Sequence, residues 1–143
     1  MKTTRRGFFK LVAGAALVPV AARVAKTLPT PILYGDGVHN DTIALQTLVD
    51  GGVVEFADAR MAQNAGWFGN VLRLPAGTFK IDTTLMFGRD DQKWIGRTVD
   101  GKGSKIIAGA PMQYVLSVQD ATDCTFTNLW IETQGCERAV LLS

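Results

Sequence analysis

The sequence predicts an all-β fold, and three observations predict it. Fifteen glycines in 143 residues supply turns. Val, Ile, Thr and Phe recur in short runs that suit pleated strands. The clearest of these runs alternate apolar and polar positions and are parted by polar turns. At 47% hydrophobic and 20% charged residues, the composition is that of one globular domain.

Residues 1–26 stand apart from that domain. Thr4-Arg5-Arg6-Gly7-Phe8-Phe9-Lys10 leads into an apolar stretch, Leu11 to Ala22, that closes on Val20-Ala21-Ala22. Paired arginines, aromatics, a lysine, a weakly apolar core and a small-residue cleavage site together resemble a bacterial twin-arginine export signal. A second reading is an anchoring helix that buries Leu11, Val12, Leu17 and Val18 on another subunit. The apolar stretch falls short of the roughly 20 residues that a membrane span needs.

The same segment holds Lys2, Arg5, Arg6, Lys10 and Arg23 with no acid, which leaves 10 basic and 13 acidic residues after residue 25. A mildly acidic body without a basic cluster excludes nucleic acid as a partner.

Thr27 to Pro31 reads as a stiff linker, because each proline fixes its own φ and restricts the residue before it. The β domain then spans 32–143. Ile32 to Tyr34 is its first strand and Gly35 to Asn40 a turn. Asp41 is the N-cap of a helix over about 41–50 that stops at Gly51-Gly52, with Ile43, Leu45, Leu48 and Val49 as its apolar stripe. Val53 to Phe56 is a strand, and Trp67-Phe68 lie in a loop. Val71 to Leu74 and Thr78 to Ile81 flank a Pro-Ala-Gly turn. Leu85 to Phe87, Trp94 to Gly96 and Ser104 to Ile107 follow, with Gly101, Gly103 and Gly109 at the bends. Val115 to Val118, Cys124 to Phe126, Leu129 to Ile131 and Ala139 to Leu141 complete the set. Val118 to Val140, 22 residues on, reads as one coil of a solenoid, so three to four coils fit after Val53.

Three stretches carry a family resemblance. Gly35 to Gln46 resembles the "GDGxxDDTxAIQ" entry of the pectate-lyase superfamily. Leu74 to Phe79, "LPAGTF", is similar to its "LPPGTY" turn, and "GKGSKIIAG" from Gly101 to its "GxGxxSTII" coil. The resemblance implies a short right-handed parallel β-helix whose N-terminal α-helix caps the first coil. A solenoid exposes its apolar stack at each end, so an end-covering element is physically required. The superfamily includes polysaccharide lyases, glycoside hydrolases and phage tailspikes.

Its enzymes work with carboxylates on adjacent coils, joined by Lys, Arg or His. The weak catalytic candidates here are Asp90-Asp91, beside Arg89 and Lys93, and Asp120 with Asp123. All sit where turns need solvated polar residues. The family's Asn-Thr-Asp, Gly-His-Gly and Arg-Ile-Lys motifs are missing from the sequence, so no catalytic residue carries over. No metal or cofactor is expected. Asp36, Asn40 and Asp41 have local uses in a turn and a cap. The single His39 is expected to have no partner, and a surface turn is its expected home. Cys124 and Cys136 are expected as buried free thiols; a bridge between them would need an oxidising compartment.

Trp67, Trp94 and Trp130 suit either a sugar platform or core and interface anchors. On an alternating strand Trp130 points away from Leu129 and Ile131, and so outward. Ala139-Val140-Leu141-Leu142 forms an apolar strand with nothing after it to cover its coil, which predicts an oligomer joined through Trp130, Val140, Leu141 and Leu142. Likeness to tailspikes implies a homotrimer.

Two functions are thereby expected. One is a non-enzymatic structural protein of a phage virion, a head decoration or tailspike-like component in contact with other virion proteins such as the capsid. Arg5, Arg6, Phe8, Phe9, Leu11 and Leu17 would anchor it. The other is a protein exported through the twin-arginine pathway to the periplasm or medium, where it binds or cleaves acidic polysaccharide.

Overall fold

The computed structural model describes residues 29–89 and 92–143. The chain divides into two units, Met1–Thr30 and Pro31–Ser143, and every element below belongs to the second. The helix expected over 1–26, with Arg5, Arg6, Phe8, Phe9, Leu11 and Leu17, lies outside the described residues, as do Asp90 and Asp91.

Among the described residues the fold is mostly β, with one α-helix. In chain order the elements are β1 (Ile32–Leu33), β2 (Asp36–Asn40), α1 (Thr42–Val49), β3 (Glu55–Phe56), β4 (Gly66–Phe68), β5 (Val71–Arg73) and β6 (Thr78–Ile81). They continue with β7 (Leu85–Phe87), β8 (Trp94–Ile95), β9 (Thr98–Ala108), β10 (Tyr114–Val118), β11 (Ala121–Thr122), β12 (Thr125–Glu132) and β13 (Arg138–Leu142).

Nearly all the pairing is parallel and links strands distant in sequence. β7, β10 and β13 form one ladder. β5 pairs with the first half of β9, which pairs with the first half of β12, so that Val71, Thr98 and Thr125 stand in line at 27-residue intervals. β2, β6 and the second halves of β9 and β12 form another. Alternation turns one side of each rung inward. Leu72, Val99 and Phe126 stack in one column and Phe79, Ile106 and Ile131 in a second; Phe87, Val118 and Leu142 make a third. Most of these side chains are fully buried.

Several local expectations are corrected. Leu116 faces Val140 and Val118 faces Leu142, so the rung interval here is 24 residues rather than the 22 read from Val118 to Val140. Trp67-Phe68 is no loop but part of β4, in a hairpin with β5, the one antiparallel strand pair among the described elements. Ser104 to Ile107 belongs to an 11-residue strand that includes Gly101 and Gly103. That strand bends where Lys102 and Gly103 adopt φ of 54° and 76°, and β12 bends beside it at Asn128, φ 55°. Only glycine fits at Gly101, where a Cβ would stand 2.5 Å from the Asn128 carbonyl oxygen. Of Gly35 to Asn40, expected as a turn, Asp36–Asn40 forms edge strand β2, bulged between the Asp36–Thr78 and Asn40–Lys80 pairs.

α1 buries Ala44, Leu45, Leu48 and Val49 and packs on β1, β6 and β7. Ile43, expected in that stripe, is 75% exposed. The stripe runs 44, 45, 48, 49, which places 43 and 47 on the solvent side of a 100° repeat. Three side chains fasten the helix and the segment leading into it. The Gln46 amide accepts from Met86 N–H at 2.8 Å and donates to Met86 C=O at 2.9 Å, which satisfies the outer edge of β7 as a strand would. Asp41 occupies the N-cap position but makes no side-chain cap bond. Its carboxylate instead reaches back to accept Tyr34 N–H at 2.8 Å and Gly35 N–H at 2.9 Å, while Asn40 Oδ1 accepts Thr42 N–H.

Candidate subunit interface

The inward columns reach solvent at their last rung. Leu116 and Val118 of β10, Phe126, Leu129 and Ile131 of β12, and Val140 with Leu142 of β13 surround a hollow of about 230 Å³. A second hollow of about 390 Å³ adjoins it, sharing Val118, Phe126 and Leu142 and reaching Cys124 and Asp123. Val140 and Leu142 are 37% and 74% exposed, although their register partners Leu116 and Val118 are buried. Among the described strands, β13 is paired only to β10, and β12 only to β9. The result is an apolar groove bordered by two strand edges.

Of the residues expected at an interface, Val140 and Leu142 come together in the groove. Leu141 lies on the other face of β13, opposite Ser117. Trp130 is 63% exposed on the outer face of β12, with Lys105 Nζ 6.0 Å from its ring centre. Trp94 is fully buried. Trp67 is half-buried, donating its indole N–H to Leu48 C=O and stacking edge-on against Trp94. Cys124 and Cys136 are free, half-buried thiols rather than fully buried ones. Asp120 and Asp123 are exposed turn residues with φ of 49° and 57° either side of β11.

A polar cluster that sequence reasoning missed surrounds His39. Its imidazole stacks on Tyr34 at 3.8 Å, and its Nδ1 lies 2.6 Å from Asp36 Oδ2. Asp36 Oδ1 also accepts the N–H groups of His39 and Val38. These two backbone donors, His39's first, and then the imidazole hold the Asp36 carboxyl well below the usual carboxylate range. The i, i+3 spacing from Asp36 to His39 was the available signal. Neither hollow is lined by this cluster, and no group of three or more His, Cys, Asp or Glu able to hold a metal occurs among the described residues. No described helix is long and apolar enough to cross a membrane.

Comparison with protein families, with curated proteins and with solved structures finds no match to this chain.

Proposed function

We propose that the chain is a non-enzymatic structural protein, a short right-handed parallel β-helix of the pectate-lyase-superfamily kind. In this reading it assembles as a symmetric homotrimer in a phage particle, as a head decoration or tailspike-like component. The observation that carries assembly is the solvent-open groove, with Leu142 at 74% exposure beside unpaired strand edges. Exposed edges and contiguous apolar surface favour pairing with another chain. Light scattering on the full chain should give a single oligomer, and Val140→Lys with Leu142→Lys should reduce it to monomers that keep their β circular dichroism. A monomeric wild type at tens of micromolar would sink the reading.

One observation favours a second reading. Trp130 stands exposed on the outer sheet beside Lys105, which also binds Glu132 at 3.1 Å. An aromatic ring next to a cation suits the face of an acidic sugar, as an exported polysaccharide-binding protein would need. Intact mass of native material separates the two: retention of residues 1–22 supports the virion component, and their removal supports export.

A further inference from the structure

A hollow of about 440 Å³ lies between the turn after β5 and the segment after β3, and it shares no residue with the groove at β13. Its size suits a small organic ligand. Buried Leu74 and Pro75 give it an aliphatic floor. Met61, from a 3₁₀ turn over Ala59–Ala62, extends that floor and packs so near Gly35 that a Cβ there would stand 2.8 Å from the Met61 methyl. The rim is polar. Arg60 is committed to Asp58, whose carboxylate accepts Arg60 Nε at 3.2 Å and Nη2 at 2.7 Å. Those bonds, and then the Arg60 backbone N–H, hold the Asp58 carboxyl down to about 2, so the pair carries no net charge near neutral pH. The Lys102 ammonium forms no ion pair or hydrogen bond among the described residues, and the side-chain amides of exposed Gln63 and Asn64 form no hydrogen bond there. Two of these rim residues stand on left-handed backbone, Asn64 at φ 59° and Lys102 at φ 54°. Lysine adopts that conformation at a cost that glycine avoids, and residues held so collect at ligand sites. Asp100 Oδ1 fixes it by accepting Lys102 N–H at 3.0 Å.

We propose that this hollow binds a carboxylate joined to an aliphatic side chain and a peptide unit, the chemistry shared by an N-acylated aliphatic amino acid and the carboxyl end of a peptide. Lys102 is the rim cation that no acid neutralises among the described residues, and it pairs with the carboxylate. The Gln63 and Asn64 amides, each both donor and acceptor, match the N–H and C=O of one peptide unit. The aliphatic side chain lies on Leu74, Pro75 and Met61, where it leaves water. A neutral aliphatic ligand would leave the Lys102 charge unused, and a bare inorganic anion would leave the floor uncovered.

The test follows backbone amide chemical shifts of the full chain during titration with N-acetyl-leucine. Saturable shifts are expected at Asn64, Lys102 and Gly103, and the neutral N-acetyl-leucinamide should bind about tenfold more weakly. Lys102→Gln should lose about the same factor of ten. Lys102→Gly, which suits the left-handed backbone and so keeps the fold, should lose it too while melting close to wild type. Tighter binding of acetyl-glycyl-glycyl-leucine assigns the site to the end of a peptide, and equal or weaker binding assigns it to a free acyl-amino acid. Absence of saturable shifts at those amides overturns the proposal, as does equal affinity of wild type for the neutral amide or of either variant for the acid. The oligomeric reading is untouched by either result, since light scattering decides it separately.

Discussion

Trp94→Ala should lower the free energy of unfolding by about 3–5 kcal/mol, the usual cost of emptying a large aromatic site. Trp94 is fully buried and is the hub of an aromatic chain. Its ring meets Trp67 edge-on at 5.3 Å and Phe87 at 5.5 Å, and Phe87 meets Phe126 at 5.1 Å. The Arg97 guanidinium covers Trp94 from 5.3 Å and Trp67 from 4.9 Å. Because these residues lie on β4, β7, β8 and β12 and the turn after β8, one truncation loosens several rungs together. The indole N–H of Trp94 has no hydrogen-bond partner among the described residues, so Trp94→Phe removes a buried donor as well as volume and should cost less than half as much. Urea unfolding measures both. An alanine variant within about 1 kcal/mol of wild type would mean that the ring does not fill the core.

Asp41→Ala should cost about 3 kcal/mol, because it strips the acceptor from two N–H groups, each worth roughly 1.5–3 kcal/mol when bonded to a charge. Asp41→Asn should cost about half of that, since one amide oxygen remains to accept. The pH dependence carries a defined sign. Burial raises the Asp41 carboxyl above its usual value, against the pull of the Tyr34 and Gly35 N–H groups. A raised acid binds its proton more tightly folded than unfolded. Its contribution is therefore full below the unfolded value and declines as pH rises through the folded one. Subtracting the Asp41→Asn profile of unfolding free energy from the wild-type profile across acid to neutral pH should leave that decline. Identical slopes would refute the assignment.

The residues around Asp41 show what was readable in the chain and what was not. Its place at the start of α1 followed from residue type and the apolar pattern after it. The target of its carboxylate did not, because Tyr34 and Gly35 approach it only once the preceding segment runs as an extended edge. Ile43 was assigned inward from hydrophobicity alone, whereas the stripe is set by which face meets β6 and β7, and there the small Ala44 fits. Trp130 was placed correctly, since alternation on a strand needs no tertiary knowledge. The groove was half legible: apolar Val140 and Leu142 were visible, but joining them to Leu116, Val118 and Phe126 depends on parallel register between distant strands. For His39 the i, i+3 spacing to Asp36 was visible, but the contact itself depends on the β2 bulge, which no local propensity encodes.

The unequal rung intervals have a consequence for how such a molecule can change. In one ladder the paired positions recur after 27 residues each time, from Val71 to Thr98 to Thr125. In another they recur after 31, from Leu85 to Leu116, and then 24, from Leu116 to Val140. The difference is absorbed in the stretches between strands, while the stacked columns stay in line. Doubling a flexible loop costs only about 0.6 kcal/mol, so added or deleted residues at these corners leave the interior intact. The outer contour can be rewritten corner by corner, as margins are rewritten around a fixed text.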